Sequence, residues 1–175
     1  MKSQAILTVI GQDRPGIVAA VSQALYNAGC SIEDAAMMRL GGYFAIMQVL
    51  RYPADLGSVE TALDPAVKKL DLRVHLDPVA TPLSGADTPP NCRITVFGAD
   101  HPGIVAHVTG ALAEIGFNII DLESHLSGSS ERPVYIMVIQ GSSPGGVAAA
   151  EAALAAVREQ EQVEIRVSPV DTLML

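Results

Sequence analysis

One loop occurs twice in this chain, and the repetition limits the architecture more than any other feature. "GQDRPGIVAAV" at residues 11–21 returns as "GADHPGIVAHV" at residues 98–108, an offset of 87. Identities run from Thr8/Thr95 through Asp13/Asp100, Pro15/Pro102 and Gly16/Gly103 to Gly29/Gly116, Ile32/Ile119 and Asp34/Asp121. Two unrelated amphipathic helices share an apolar spacing; they do not also share Asp, Pro and a set of glycines. The match continues more weakly: Tyr43–Gln48 aligns with Tyr135–Gln140, and residues 70–74 with 163–167. That alignment puts about five extra residues of the second copy near Ser127–Pro133 and about one more later, where loops tolerate insertion. The chain therefore reads as one unit used twice, residues 1–76 and 92–171. Residues 77–91, rich in Pro, Gly, Ser and Thr, read as the linker.

Each unit follows one pattern. An apolar strand, Ile6–Ile10 or Arg93–Phe97, enters the loop. A helix follows, with Ile17, Val18, Val21, Leu25 and Ala28 on one stripe, and Gly29 or Gly116 at its C-terminal cap. A second strand, Ser31–Leu40 or Asn118–Leu126, turns back through Gly41-Gly42 or through the longer "SGSSERP" tip into a third. The spacing predicts a second helix from Ser58 to about Leu70, kinked or restarted at Asp64-Pro65. Its counterpart is predicted from an N-cap at Ser143, with Pro144 as first helical residue, to about Arg158. A fourth strand, Leu72–Leu76 or Val163–Val167, closes the order βαββαβ. This is an α+β, ferredoxin-like unit: an antiparallel sheet with helices on one face. Units of roughly 75–80 residues are marginal alone, so the two are expected to pack as a pseudo-dimer, and duplication can serve stability without serving function.

The loop has two readings. In the structural one, Pro15 starts the helix, and Asp13 caps the free N–H groups of Gly16 or Ile17. In the functional one, a helix start accepts the carboxylate of a small molecule, while Asp13 or Asp100 faces an amino group. An amino acid offers both ends. Arg14 in the first copy is His101 in the second, and Ser31 is Asn118, so the two sites present different hydrogen-bonding groups.

Composition narrows the rival functions. The net charge of -8 opposes both nucleic-acid backbones and anionic membranes. Strands "ILTVI" and "YFAIMQV" lack the aromatic-basic faces by which RNA-recognition domains of the same βαββαβ order bind. No metal-ligand spacing or nucleophile motif is present, and the Asp121/Glu123/His125 row reads as a solvated strand face. Cys30 and Cys92 read as small hydrophobes, and Met37, Met38, Met47 and Met137 as core or interface packing. The apolar run near the amino terminus is too short for a signal peptide or membrane span. The expectation is a cytoplasmic protein with no enzyme activity, cofactor or bound metal.

Gly-x-Asp-x-Pro-Gly-Ile-Val after a first strand, then Gly-x-Asn/Ser-Ile-x-Asp entering a second, within βαββαβ, resembles the ACT domain. Two such units with a proline-bearing linker and no attached catalytic domain resemble the glycine cleavage system transcriptional repressor family. The resemblance implies units that pair through their sheets and bind a small amino acid, glycine among the candidates, where the loop meets the second strand. The implied ligand-binding residues are Gly11, Asp13, Arg14, Pro15, Gly16, Ile17, Ser31, Ile32 and Asp34. In the second unit they are Gly98, Asp100, His101, Pro102, Gly103, Ile104, Asn118, Ile119 and Asp121. It further implies action through a protein partner, such as a transcriptional regulator, and is compatible with a homo-oligomer. The alternative on the same fold is a ligand-free structural or partner-binding module.

Overall fold

Alternation of apolar and polar residues sets the face of the first strand. In β1, Ser3–Gln12, Ala5, Leu7 and Val9 are buried while Gln4, Ile6 and Thr8 point to the other side, as the two-residue strand period requires. The computed structural model describes residues 3–53, 55–79, 88–129 and 132–170. The chain divides between residues 85 and 86 into two units. After β1 come α1, Ile17–Asn27; β2, Ser31–Leu40; β3, Tyr43–Tyr52; α2, Leu56–Leu70; and β4, Arg73–Val79. The second unit repeats this as β5, Cys92–Ala99; α3, Ile104–Glu114; β6, Asn118–Ser129; β7, Arg132–Ser142; α4, Gly146–Glu161; and β8, Glu164–Pro169. The sheets are antiparallel, in order β2-β3-β1-β4 and β6-β7-β5-β8. Each unit is thus α+β with βαββαβ order. Each has its own core: Leu7, Val9, Leu25, Leu50, Val59 and Leu63 in the first, Ile94, Val96, Leu112, Met137, Ile139 and Leu154 in the second. Full burial of such side chains stabilises by about 1.5–3 kcal/mol each. No described helix is long and apolar enough to cross a membrane.

Sheet register corrects the alignment of the two copies. Leu50 pairs with Ala5, and Gly141 with Cys92. Since Ala5 and Cys92 are 87 apart, Leu50 corresponds to Gly141 at an offset of 91. The same offset relates Leu72 to Val163 and the left-handed caps Asp71 and Gln162. Tyr135 therefore matches Phe44, not Tyr43; each aromatic sits opposite a strand glycine, Gly11 or Gly98. One insertion of four residues accounts for the difference. It lengthens the hairpin, since β6 and β7 stay paired through Gly128/Pro133 and Ser129/Arg132 where the sequence reads as a loop. Residues 130 and 131 of that tip lie outside the described residues.

Two helix starts also depart from expectation, and α2 does not restart at its proline. Ser143 is not an N-cap. Its N–H donates to Asn91 Oδ1 (2.9 Å) and its carbonyl accepts from Asn91 Nδ2 (2.9 Å), so it extends the β5–β7 edge and α4 begins at Gly146. In α2 the cap is Asp55, whose carboxylate accepts from the Ser58 N–H (3.1 Å). The helix continues through Pro65, because Leu63 on one side and Val67 and Leu70 on the other hold both segments to the core and packing overrides propensity. The glycine caps are as read: Gly29 and Gly116 have φ of 71° and 69°. Cys30 N–H donates back to the Leu25 carbonyl (2.9 Å), as in a Schellman motif. Gly41 and Gly42, with φ of 58° and 82°, form the expected two-residue hairpin turn.

Candidate functional site

The loop of the first unit is held at two points. The Asp13 N–H donates to the Gly42 carbonyl (2.9 Å), which ties the loop to the β2–β3 turn. The Asp13 carboxylate accepts from Arg39 Nε (2.7 Å). Asp13 consequently does not cap the helix, and Pro15 is not its first residue. Pro15 and Gly16 form the turn, Gly16 stands at the N-cap with φ 94°, and no side chain caps α1. The physical reason is that the guanidinium of Arg39 meets the carboxylate with a full opposite charge, where a main-chain amide offers only a dipole. The first turn of α1 keeps the unpaired donors and partial positive charge of a helix start.

Over that start lies an open cleft of about 520 Å³, lined by Asp13, Arg14, Pro15, Gly16, the first helical turn Ile17–Ala19, Met37 of β2 and Phe44 of β3. Of the residues expected at the site, the structure brings Asp13, Arg14, Pro15, Gly16 and Ile17 together here. Gly11 is buried inside β1, where a Cβ would lie 2.6 Å from Leu72 Cδ2. Gly98 is likewise pressed on Val163 Cγ1, at 2.5 Å. These two glycines allow β1 and β5 to pack closely on the residues that lead into β4 and β8. Ser31, Ile32 and Asp34 pair with Arg51, Leu50 and Val49, at the end of the sheet remote from the loop, where Gln12 meets Tyr43. Asn118, Ile119 and Asp121 are placed likewise, opposite Ser142, Gly141 and Gln140. Within a unit, therefore, the loop and the start of the second strand do not share one cleft.

Three contributors are not apparent from sequence: Arg39, Met37 and Phe44. Arg39 follows Asp13 by 26 residues and carries no motif; only the hairpin turning back beside the loop brings it to Asp13. Met37, 55% exposed, lies on the helix-side face of β2 and lines the cleft. Met38 and Met47 are also exposed and only Met137 is in a core. Cys30 and Cys92 are free thiols raised in pKa by burial, and both pack with the cores.

The second loop has the same backbone and different company. Gly103 is the N-cap of α3 with φ 113° and no side-chain cap. Pro102 precedes it in the turn, and Ile104 opens the helix and is buried. His101 Nε2 lies 3.0 Å from the Glu161 carbonyl, and its Nδ1 lies 3.3 Å from the Pro102 carbonyl. These carbonyls, Glu161 first, hold the imidazole above the ordinary histidine range, because they accept from the protonated ring. The Glu161 carboxylate meets His107 Nδ1 at 2.7 Å. Asp100 is exposed in the loop, and the position of Arg39 is filled by Leu126. Asp121, Glu123 and His125 are exposed on β6. Among the described residues no three His, Cys, Asp or Glu side chains converge as metal ligands.

Comparison with known proteins places this geometry. The model of the ACT domain matches residues 3–77 and again residues 93–168. The glycine cleavage system transcriptional repressor of Escherichia coli is 27% identical over 148 residues, covering 83% of this chain and 77% of that protein. A UPF0237 protein of Listeria innocua is 33% identical over 76 residues, covering 42% of this chain and 85% of its own. Among solved structures, a protein of unknown function from Galdieria sulphuraria superposes with a TM-score of 0.78 at 28% identity, covering 97% of this chain and 99% of that one. A crystal structure described as a candidate glycine cleavage system transcriptional repressor superposes with a TM-score of 0.75 at 19% identity, covering 97% and 98%, a likeness of fold. With its motif, its βαββαβ order and its family match each present twice, the chain belongs to the ACT-domain family.

Proposed function

We propose that the chain is a non-enzymatic regulatory protein that senses a small amino acid and passes the signal on by protein contact. The observation that carries this reading is the cleft at the start of α1, where an uncapped helix end lies beside an Asp13–Arg39 pair. A helix start and a guanidinium favour a carboxylate, and an aspartate favours an ammonium group. Glycine leads the candidates, because the similar Escherichia coli protein is named for the glycine cleavage system. The net charge of -8 supports a protein partner, such as a transcriptional regulator, over direct DNA contact. Ligand can change partner affinity only by binding the competent state differently.

Thermal unfolding against a panel of amino acids tests the reading. Stabilisation follows mass action, about 2.7 kcal/mol at a hundredfold excess over Kd, so a true ligand raises the melting temperature in a concentration-dependent way. A flat response to every member overturns the sensing function. One observation favours a second reading, a ligand-free partner-binding module: all ten residues of the edge strand β2 are exposed, among them Met37, Met38 and Leu40. That reading requires Asp13→Ala to capture the same partner as the parent, with no ligand effect in either.

A further inference from the structure

The two loops share a backbone and differ in what stands over it. In the second unit, Glu161 at the end of α4 reaches the start of α3. Its Oε1 lies 2.7 Å from His107 Nδ1 and its Oε2 lies 3.5 Å from His101 Nδ1. A Cβ placed on Gly103 would lie 3.5 Å from that same Oε2. The side chain is only 6% exposed, and a buried carboxylate persists where donors and positive charge meet it. The first unit has none of these groups. At the offsets the sheets define, Glu161 corresponds to Leu70, His107 to Ala20 and His101 to Arg14. Conversely, Arg39 in the first unit corresponds to Leu126 in the second.

We propose that the second loop is held shut by the chain's own Glu161, acting as an internal anion at the start of α3, and that the first unit alone takes the ligand, with Arg39 reading its carboxylate. The part concerning Arg39 rests on the amino-acid reading above; the closure by Glu161 does not. A helix start favours one anion beside it. A second carboxylate brought to Gly103 meets the charge of Glu161 and is repelled. In the first loop the carboxylate is that of Asp13, which meets Arg39 Nε. That guanidinium, 69% exposed as a side chain, carries its donors in one planar fork that suits an incoming carboxylate.

The test uses the full chain and Glu161→Leu, which installs the residue found at the matching position of the first unit. In amide NMR with glycine, then the other panel amino acids, the parent responds at Gly16–Ala19 only, and Glu161→Leu combined with Leu126→Arg, which supplies the guanidinium the second loop lacks, responds at Gly103–Ala106 as well. A parent that responds at both loops, or a double variant that responds at the first alone, overturns the closure. Silence at both loops in both proteins overturns the amino-acid reading and the role of Arg39. Closure is also read with no ligand present, at the His107 amide, which bonds the Gly103 carbonyl (2.9 Å). Glu161→Leu and the volume-conserving Glu161→Gln each speed its hydrogen exchange about fivefold relative to Leu112. Unchanged exchange in both variants overturns the closure whatever the ligand result.

Discussion

Replacing Gly16 with Ala probes the turn on which the site is built. Gly16 has φ 94° and ψ -6°, and a Cβ there would meet nothing within 4 Å, so the loss is backbone strain alone. Left-handed geometry costs an L-residue about 1–2 kcal/mol. Stiffening of the unfolded chain by Ala returns about 0.4–1 kcal/mol, leaving a net loss of about 1 kcal/mol. At Gly103, φ is 113° and ψ -28°, farther from the left-handed well. A Cβ there lies 3.3 Å from His107 Cε1 and 3.5 Å from Glu161 Oε2, so Gly103→Ala costs about 2 kcal/mol. With a urea slope of about 1–1.5 kcal/mol/M for a unit of this size, the midpoints fall by about 0.8 M and about 1.5 M. Urea unfolding followed by circular dichroism measures both. Gly16→Asn, which tolerates positive φ, recovers about half of the first loss. A midpoint unchanged or raised in Gly16→Ala refutes the reasoning, because it means that φ is negative and that Pro15 begins a helix capped by Asp13.

Three other outcomes follow from the contacts described. His101 is held above the ordinary histidine range, first by the Glu161 carbonyl, so the folded state binds its proton more tightly than the unfolded chain does. That contribution to stability is complete below the unfolded histidine value and disappears as pH rises through the raised folded value; urea midpoints across this window decline less in His101→Asn. In the second core, Gly141 makes room for Phe117 and for the backbone beside it, since a Cβ would lie 2.2 Å from Phe117 Cε1 and 2.3 Å from the Asn118 carbonyl oxygen, whereas Leu50 and Cys30 occupy the matching positions of the first. Gly141→Leu alone costs about 3 kcal/mol or prevents folding of the second unit, and adding Phe117→Cys recovers only the part due to the ring in the same unfolding assay, because the contact with the Asn118 carbonyl remains. Arg39→Leu changes stability by no more than about 1 kcal/mol, because the Arg39 side chain is exposed, but removes the amino-acid-dependent rise in melting temperature.

The parts of the fold with local chemistry were legible in the sequence. The duplicated loop, the capping glycines Gly29 and Gly116 and the Gly41-Gly42 turn each announce a backbone conformation within a few residues, and the alternation Ala5, Leu7, Val9 sets a strand face by itself. Alignment past the hairpin was not legible. Tyr43 and Tyr135 are identical residues, yet the register matches Tyr135 with Phe44, because the aromatic that must cover Gly11 or Gly98 decides the pairing. The site was half legible. Asp13, Arg14, Pro15, Gly16 and Ile17 line the cleft, but the partner of Asp13 lies across a hairpin. Glu161 reads in "REQEQ" as one more solvated charge. Its burial is imposed by His101 and His107, 60 and 54 residues away, and no local pattern encodes such a contact.

Calorimetric titration of the full chain with the amino acid that stabilises it most tests the central claim directly. One ligand per chain, lost in Arg39→Leu, is the predicted result: the first loop binds and the second is filled by Glu161. No heat with any member of the panel contradicts amino-acid sensing, and two equivalent sites per chain contradict the closed second loop.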